Sequence, residues 1–153
     1  MNGTMYDKIY DKIVDNLYIG SASALEYENQ FEMIVNCTQE IRFPKNSVKC
    51  YRIPILDDPY ECVNFVELVE KTNILETMHE TIIHKNPVLV HCFAGIQRSP
   101  ALVALYLIRY HKYTPETAIQ YIRSKRPIAF FGAVNFMDAI DLFYRKINAK
   151  KND

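Results

Sequence analysis

Cys92 and Arg98 stand six residues apart in VLVHCFAGIQRSPALVALYLI, residues 88–108, with apolar sequence on either side. The pairing matters because a thiolate is a strong nucleophile, while a guanidinium fork binds two oxygens of a phosphoryl group and holds them more tightly as charge develops. Val88–His91 reads as a short strand buried in the centre of a sheet, and Ala101–Ile108 as a helix apolar on every side. A loop between such elements points backbone N–H groups and the positive end of the helix dipole at its concave side. That field also favours thiolate over thiol at Cys92. Gly95 lets the backbone approach an anion closely, and Ala94 keeps bulk low. Phe93, Ala94, Gly95, Ile96, Gln97 and Arg98 are therefore the expected phosphate-binding loop. Ser99 can hydrogen-bond the sulfur as it leaves. His91, ending the strand, is expected to hold the loop through hydrogen bonds and not to exchange protons.

A thiolate attacking a phosphate ester needs a partner that protonates the departing oxygen. Asp57 and Asp58 follow the strand expected at Val48–Ile55, on the rim where Cys92 lies. An Asp-Asp-Pro stretch in isolation reads as a turn cap. Beside a Cys-x5-Arg loop, one of the two is expected to serve as general acid and then as general base toward water.

The elements that position this loop are legible in outline. Short strands are expected at Lys12–Val14, Leu17–Ile19 and Met33–Asn36. Ser21 or Ser23 is placed to cap a short helix over Ala24–Tyr27. Between Val63 and His84, Phe65, Leu68, Val69, Thr72, Leu75, Met78 and Ile82 recur at steps of three or four, predicting one long amphipathic helix. Thr114 and Pro115 predict a helix start, with the helix running through Ser124. A last helix over Ala133–Ala149 carries Phe136, Met137, Ile140, Phe143, Tyr144 and Ile147 on one side. Strands alternating with helices predict an α/β fold, a central mostly parallel twisted sheet flanked by helices on both faces. The absence of repeats or linker-like runs predicts one domain over residues 1–153.

Lys+Arg and Asp+Glu both number 18, which argues against a nucleic-acid or anionic-membrane partner. The Lys150, Lys151 pair reads as a solvated helix end. No apolar stretch is long enough to span a bilayer, the opening MNGTMYDKIYDK lacks a signal peptide's apolar segment, and Asn2 replaces the glycine that myristoylation requires. A soluble cytoplasmic protein is expected. The four cysteines show no metal-ligand spacing. Cys62, near the acid loop, is a weak candidate for a disulfide with Cys92.

The complete string HCFAGIQRS resembles the signature loop of cysteine-dependent protein phosphatases, specifically the compact dual-specificity class. LYIGSASAL is similar to that family's early strand and following helix, IVNCT to its Asn-bearing strand, and IPILDD to the segment carrying its acid. The resemblance implies Cys92 as nucleophile, Arg98 as phosphate ligand, Asp57 as acid, Ser99 as an aid to the second step and Asn36 as a brace for the phosphate loop. It implies phosphorylated protein substrates and no cofactor or metal. Gln97 departs from the family's usual small residue or Asn and is a candidate to touch substrate or the attacking water. KRPIAFFGAVNF matches the late pocket-lining loop loosely, so Phe130 and Phe131 are pocket walls by resemblance but core by residue type. The loop has no lysine, unlike relatives acting on phosphoinositides, and lacks the His and Thr of relatives acting on RNA 5′-triphosphates. RNA 5′-phosphates or another phosphomonoester remain a second reading, and a phosphate-binding module without turnover a third.

Overall fold

The computed structural model describes residues 9–45 and 48–151. The readings of the first eight residues, Asn2 included, lie outside the described residues. Five strands, β1 Tyr10–Val14, β2 Leu17–Gly20, β3 Met33–Asn36, β4 Lys49–Arg52 and β5 Val88–His91, pair in the order β1-β2-β5-β3-β4. Only the β1–β2 hairpin is antiparallel. The wholly buried β5 takes the central place, where both faces are covered. β4, with its alternating exposed residues, takes an edge.

Register sets where the loops open. Gly20 and Asn36 both pair with His91, so β2, β3 and β5 end in one row and release their following loops on the same side of the sheet. Ile19, Met33, Val35, Val88 and Val90 face the main core, built with α1 Cys62–Thr72, α2 Ile74–Ile83, α3 Arg98–His111, α4 Pro115–Lys125 and α5 Met137–Lys151. The opposite face is covered more thinly, by Ala24 and Phe31 on Ile34 and Leu89. Both faces are covered, unequally. Every residue of α3 from Arg98 to Ile108 is buried, so the element that carries Arg98 is fixed along most of its length.

Several boundaries differ from expectation for physical reasons. The single helix predicted over residues 63–84 is two, because Asn73 adopts a left-handed conformation (φ 54°) that ends α1 and opens α2. Asn tolerates that conformation better than most residues, and the apolar stripe of Phe65, Val69, Leu75 and Met78 reaches the core from both pieces. The segment after β2 is a 3-10 helix over Ala22–Gln30, and the Ser21 side chain makes no cap. β4 stops before Pro54, which has no N–H for a ladder, although Ile53 still donates to Asn36 O at 2.9 Å. The Thr114 hydroxyl caps α4 by accepting from Thr117 N, with Pro115 in the first turn. α5 begins only at Met137, because Gln97 holds Ala133 O and Asn135 N outside the helix.

Asn73→Ala is expected to lower stability by about 1 kcal/mol, the order of the left-handed penalty for a residue with a β-carbon, whereas Asn73→Gly should be close to neutral. Urea unfolding midpoints check this; an unchanged midpoint for Asn73→Ala would contradict it.

Candidate active site

The loop from β5 to α3 is held by its carbonyl groups. His91 O accepts from Cys37 N at 2.8 Å, and Cys92 O lies 3.1 Å from His91 Nδ1. Phe93 O accepts from Ala22 N, Ile96 O from Phe130 N, and Gln97 O from Ala101 N. Ala94 O and Gly95 O both accept from the guanidinium of Arg126, at 3.2 and 2.8 Å. All seven carbonyls from His91 to Gln97 are thus bonded to the surrounding scaffold.

In a trans peptide the C=O and the next N–H point opposite ways. Carbonyls turned outward therefore turn amides inward. Gly95 N donates to Cys92 Sγ at 3.2 Å. Among the described residues, the amides of Phe93, Ala94, Ile96 and Gln97 have no acceptor. The N-cap position of α3, Gln97, places no side-chain cap over the helix's first amides either. The result is a concave set of N–H donors, which suits an oxyanion.

Cys92 is buried, with Sγ 3.2 Å from Ser99 Oγ. When the sulfur is a thiolate, the hydroxyl is the donor. Burial lowers the pKa of His91, opposed by its bond to the Cys92 carbonyl, and nearby Arg52 and Arg98 lower it further. The ring is therefore neutral, with Nδ1–H as donor and Nε2 a buried acceptor without a partner.

Arg98 lines a cleft of about 450 Å³ together with Glu40, Asp57, Cys92, Phe93 and Phe131. Its Nη1 donates to Ile55 O at 3.1 Å, tying the start of α3 to the segment that carries Asp57. Its Nη2 lies 3.6 Å from Glu40 Oε1. A larger cavity, about 650 Å³, opens beside Lys12, His79 and Tyr106, but it contains neither Cys92 nor Arg98.

The two aspartates differ in their surroundings. Asp58 accepts from Tyr60 N and caps the turn before α1, while Asp57 faces the cleft and accepts from Asn135 Nδ2 at 3.0 Å. Asn36 does not touch the phosphate loop with its side chain. It accepts from Thr38 N and Oγ1 and donates to Ile41 O, fixing the neighbouring turn that brings Glu40 to the cleft. Gln97 lines the cleft, but its amide is engaged with Ala133 O at 2.6 Å and Asn135 N at 3.0 Å, which fixes the loop carrying Asn135. Phe130 is buried, as its residue type suggested, whereas Phe131 is 62% exposed and lines the cleft. Phe93, 66% exposed, is another wall.

Cys62 contacts Asn135 O and does not line the cleft. The thiol that follows Cys92's neighbours in register is Cys37, one residue past the Asn36–His91 pair. Burial pushes the Cys37 pKa well up. Arg126 and Asn135 were not singled out in the sequence. Asn135 was invisible because its role depends on a contact with Asp57 across 78 residues.

The dual specificity phosphatase catalytic-domain family matches residues 17–146. The chain belongs to that family. This dual specificity phosphatase is 33% identical over 144 residues to protein 123R of Invertebrate iridescent virus 6, named a tyrosine phosphatase, with 90% of this chain and 94% of the viral one covered. It is 27% identical to the protein phosphatase Slingshot of Drosophila melanogaster, matching 92% of this chain and only 14% of that longer one. The crystal structure of human DUSP28 superposes with a TM-score of 0.82 at 24% identity, over 92% of this chain and 96% of that one, which shows a shared fold. The family makes the protein a cysteine-dependent phosphatase of the tyrosine and dual-specificity type, a hydrolase. Among the described residues no helix is long and apolar enough to cross a membrane.

Gly95 tests the loop's geometry. It has φ +70°, and a β-carbon there would stand 2.6 Å from Arg126 Nη2 and 2.7 Å from Gly20 O. Gly95→Ala is expected to cost about 2 kcal/mol or more in stability and most of the hydrolytic activity. Thermal melting together with aryl phosphate hydrolysis checks this; wild-type values for both would contradict it.

Proposed function

We propose that the protein dephosphorylates phosphotyrosine and phosphoserine/threonine in protein substrates through a cysteinyl-phosphate intermediate. The observation that carries this reading is the position of Cys92 Sγ, 3.2 Å from both Ser99 Oγ and Gly95 N, in one cleft with Arg98 and Asp57. The Cys92 thiolate attacks phosphorus while the inward amides and the Arg98 fork bind the phosphoryl oxygens. The ester P–O bond breaks, and Asp57 gives its proton to the departing oxygen. Water then attacks phosphorus, its proton passes to the Asp57 carboxylate, and the S–P bond breaks to return the thiolate. Ser99 donates to the sulfur as it leaves. The Asn135 amide, donating to Asp57 Oδ1, fixes the direction in which the acid points.

Protein substrates are favoured by the cleft's rim. The rings of Phe93 and Phe131 give an apolar border suited to the aryl ring of phosphotyrosine, the methylene of phosphoserine or the methyl of phosphothreonine. The Glu40 carboxylate beside Arg98 opposes a second anionic group, which disfavours RNA 5′-phosphates. Four free thiols support a reducing compartment, and we place the protein in the cytoplasm as one domain.

Cys92→Ser should abolish release of phosphate from phosphotyrosyl and phosphothreonyl peptides. Turnover by that variant at the wild-type rate would overturn the nucleophile assignment. Asp57→Asn should slow alkyl phosphates by about 100-fold or more, in the range of general acid catalysis, and activated aryl phosphates far less. The check is a plot of rate against leaving-group basicity for Asp57→Asn and Asp58→Asn. A steeper slope only in Asp58→Asn would reverse the assignment of the acid.

A further inference from the structure

We propose that Arg126 is a positioning residue for catalysis, aiming two of the phosphate loop's amides by holding the carbonyls behind them. Arg126 ends α4, on the far side of the loop from the cleft, and only 1% of it is exposed. Its Nη2 donates to Ala94 O at 3.2 Å and its Nε to Gly95 O at 2.8 Å, while its Nη1 pairs with Asp11 Oδ2 at 2.9 Å. Asp11, on β1, is itself largely buried, so the guanidinium is anchored to the sheet as well as to the loop.

The consequence follows from peptide geometry. The Ala94 carbonyl shares a peptide plane with the Gly95 N–H, and the Gly95 carbonyl shares one with the Ile96 N–H. By drawing both carbonyls backward, one planar fork directs the first N–H at Cys92 Sγ and turns the second, which has no acceptor, toward the concave side. The other carbonyls of the loop are held by single amides or a ring nitrogen, whereas these two adjacent planes depend on one side chain. Close packing enforces the arrangement, since Arg126 Nη2 occupies the space that a β-carbon at Gly95 would need. Lysine carries the charge but is a single point donor, and cannot span both carbonyls and Asp11 with fixed geometry.

This assignment rests on the loop being the phosphate site. The experiment separates the two by measuring inorganic phosphate as a competitive inhibitor of aryl phosphate hydrolysis for wild type, Arg126→Lys and Arg126→Met, at a temperature where melting shows each to be folded. The expected result is wild-type inhibition by phosphate, with an inhibition constant raised at least 10-fold in Arg126→Met and several-fold in Arg126→Lys. A fall in kcat with an unchanged slope against leaving-group basicity should accompany it, because the acid is untouched. Wild type without competitive inhibition would overturn the phosphate-site reading. Wild-type inhibition with both folded variants unchanged would overturn the role of Arg126 alone. Failure of both variants to fold even in the cold would assign Arg126 to folding and likewise overturn the proposal.

Discussion

The site depends on one constraint: a trans peptide cannot present its carbonyl and its following amide to the same side. A loop that must bind an oxyanion with backbone N–H groups has to find an outside partner for every carbonyl it turns away, because a buried carbonyl left unpaired costs about 1–3 kcal/mol. The partners here come from the whole fold. Cys37 just past β3, Ala22 after β2, Arg126 after α4, Phe130 in the late loop and Ala101 in α3 each supply a donor. The row in which β2, β3 and β5 end brings the first two of these to the loop. The mainly parallel sheet and the burial of α3 are therefore conditions for the chemistry as much as for stability.

Burial sorts the groups around the sulfur by protonation. His91, buried at the end of the central strand, is kept neutral because desolvation disfavours its charged form, so it serves as a fixed donor to the Cys92 carbonyl. Cys37, fully enclosed beside it, has its thiol held protonated by the same effect, strengthened by proximity to Cys92. Cys92 lines the cleft, with Gly95 N and Ser99 Oγ each 3.2 Å from its sulfur.

Much of this was legible in the sequence because it rests on local pattern. The apolar run of β5, the all-round apolar helix after it and the Cys-x5-Arg spacing are contained in about twenty residues, and their physical reasons are local. The Thr114–Pro115 helix start was legible for the same reason. What was missed depends on tertiary contact. The Asn73 break is invisible to periodicity, since one left-handed residue leaves the apolar stripe on the core side. Asn36 carries a family-like position but braces the turn at Thr38–Ile41. Arg126 begins the RPIAFFGAVNF part of a stretch matched only loosely to a late loop, and it is among the most buried side chains because loop carbonyls and Asp11, distant in sequence, satisfy its donors. Nothing within the Asp57-Asp58 pair could tell which side chain lines the cleft and which caps the turn; that difference lies in tertiary contacts, Asp57 with Asn135 and Asp58 with Tyr60 N.

The central claim is that phosphate passes through Cys92 on its way to water. The direct measurement is to mix wild type with an activated aryl phosphate, quench in acid during turnover, digest, and find by mass spectrometry which peptide carries phosphate. The account predicts phosphate on the peptide containing Cys92, and none there when the same quench follows exhaustion of the substrate. Phosphate transiently bound to any other residue, or burst kinetics with no phosphate on Cys92, would contradict it.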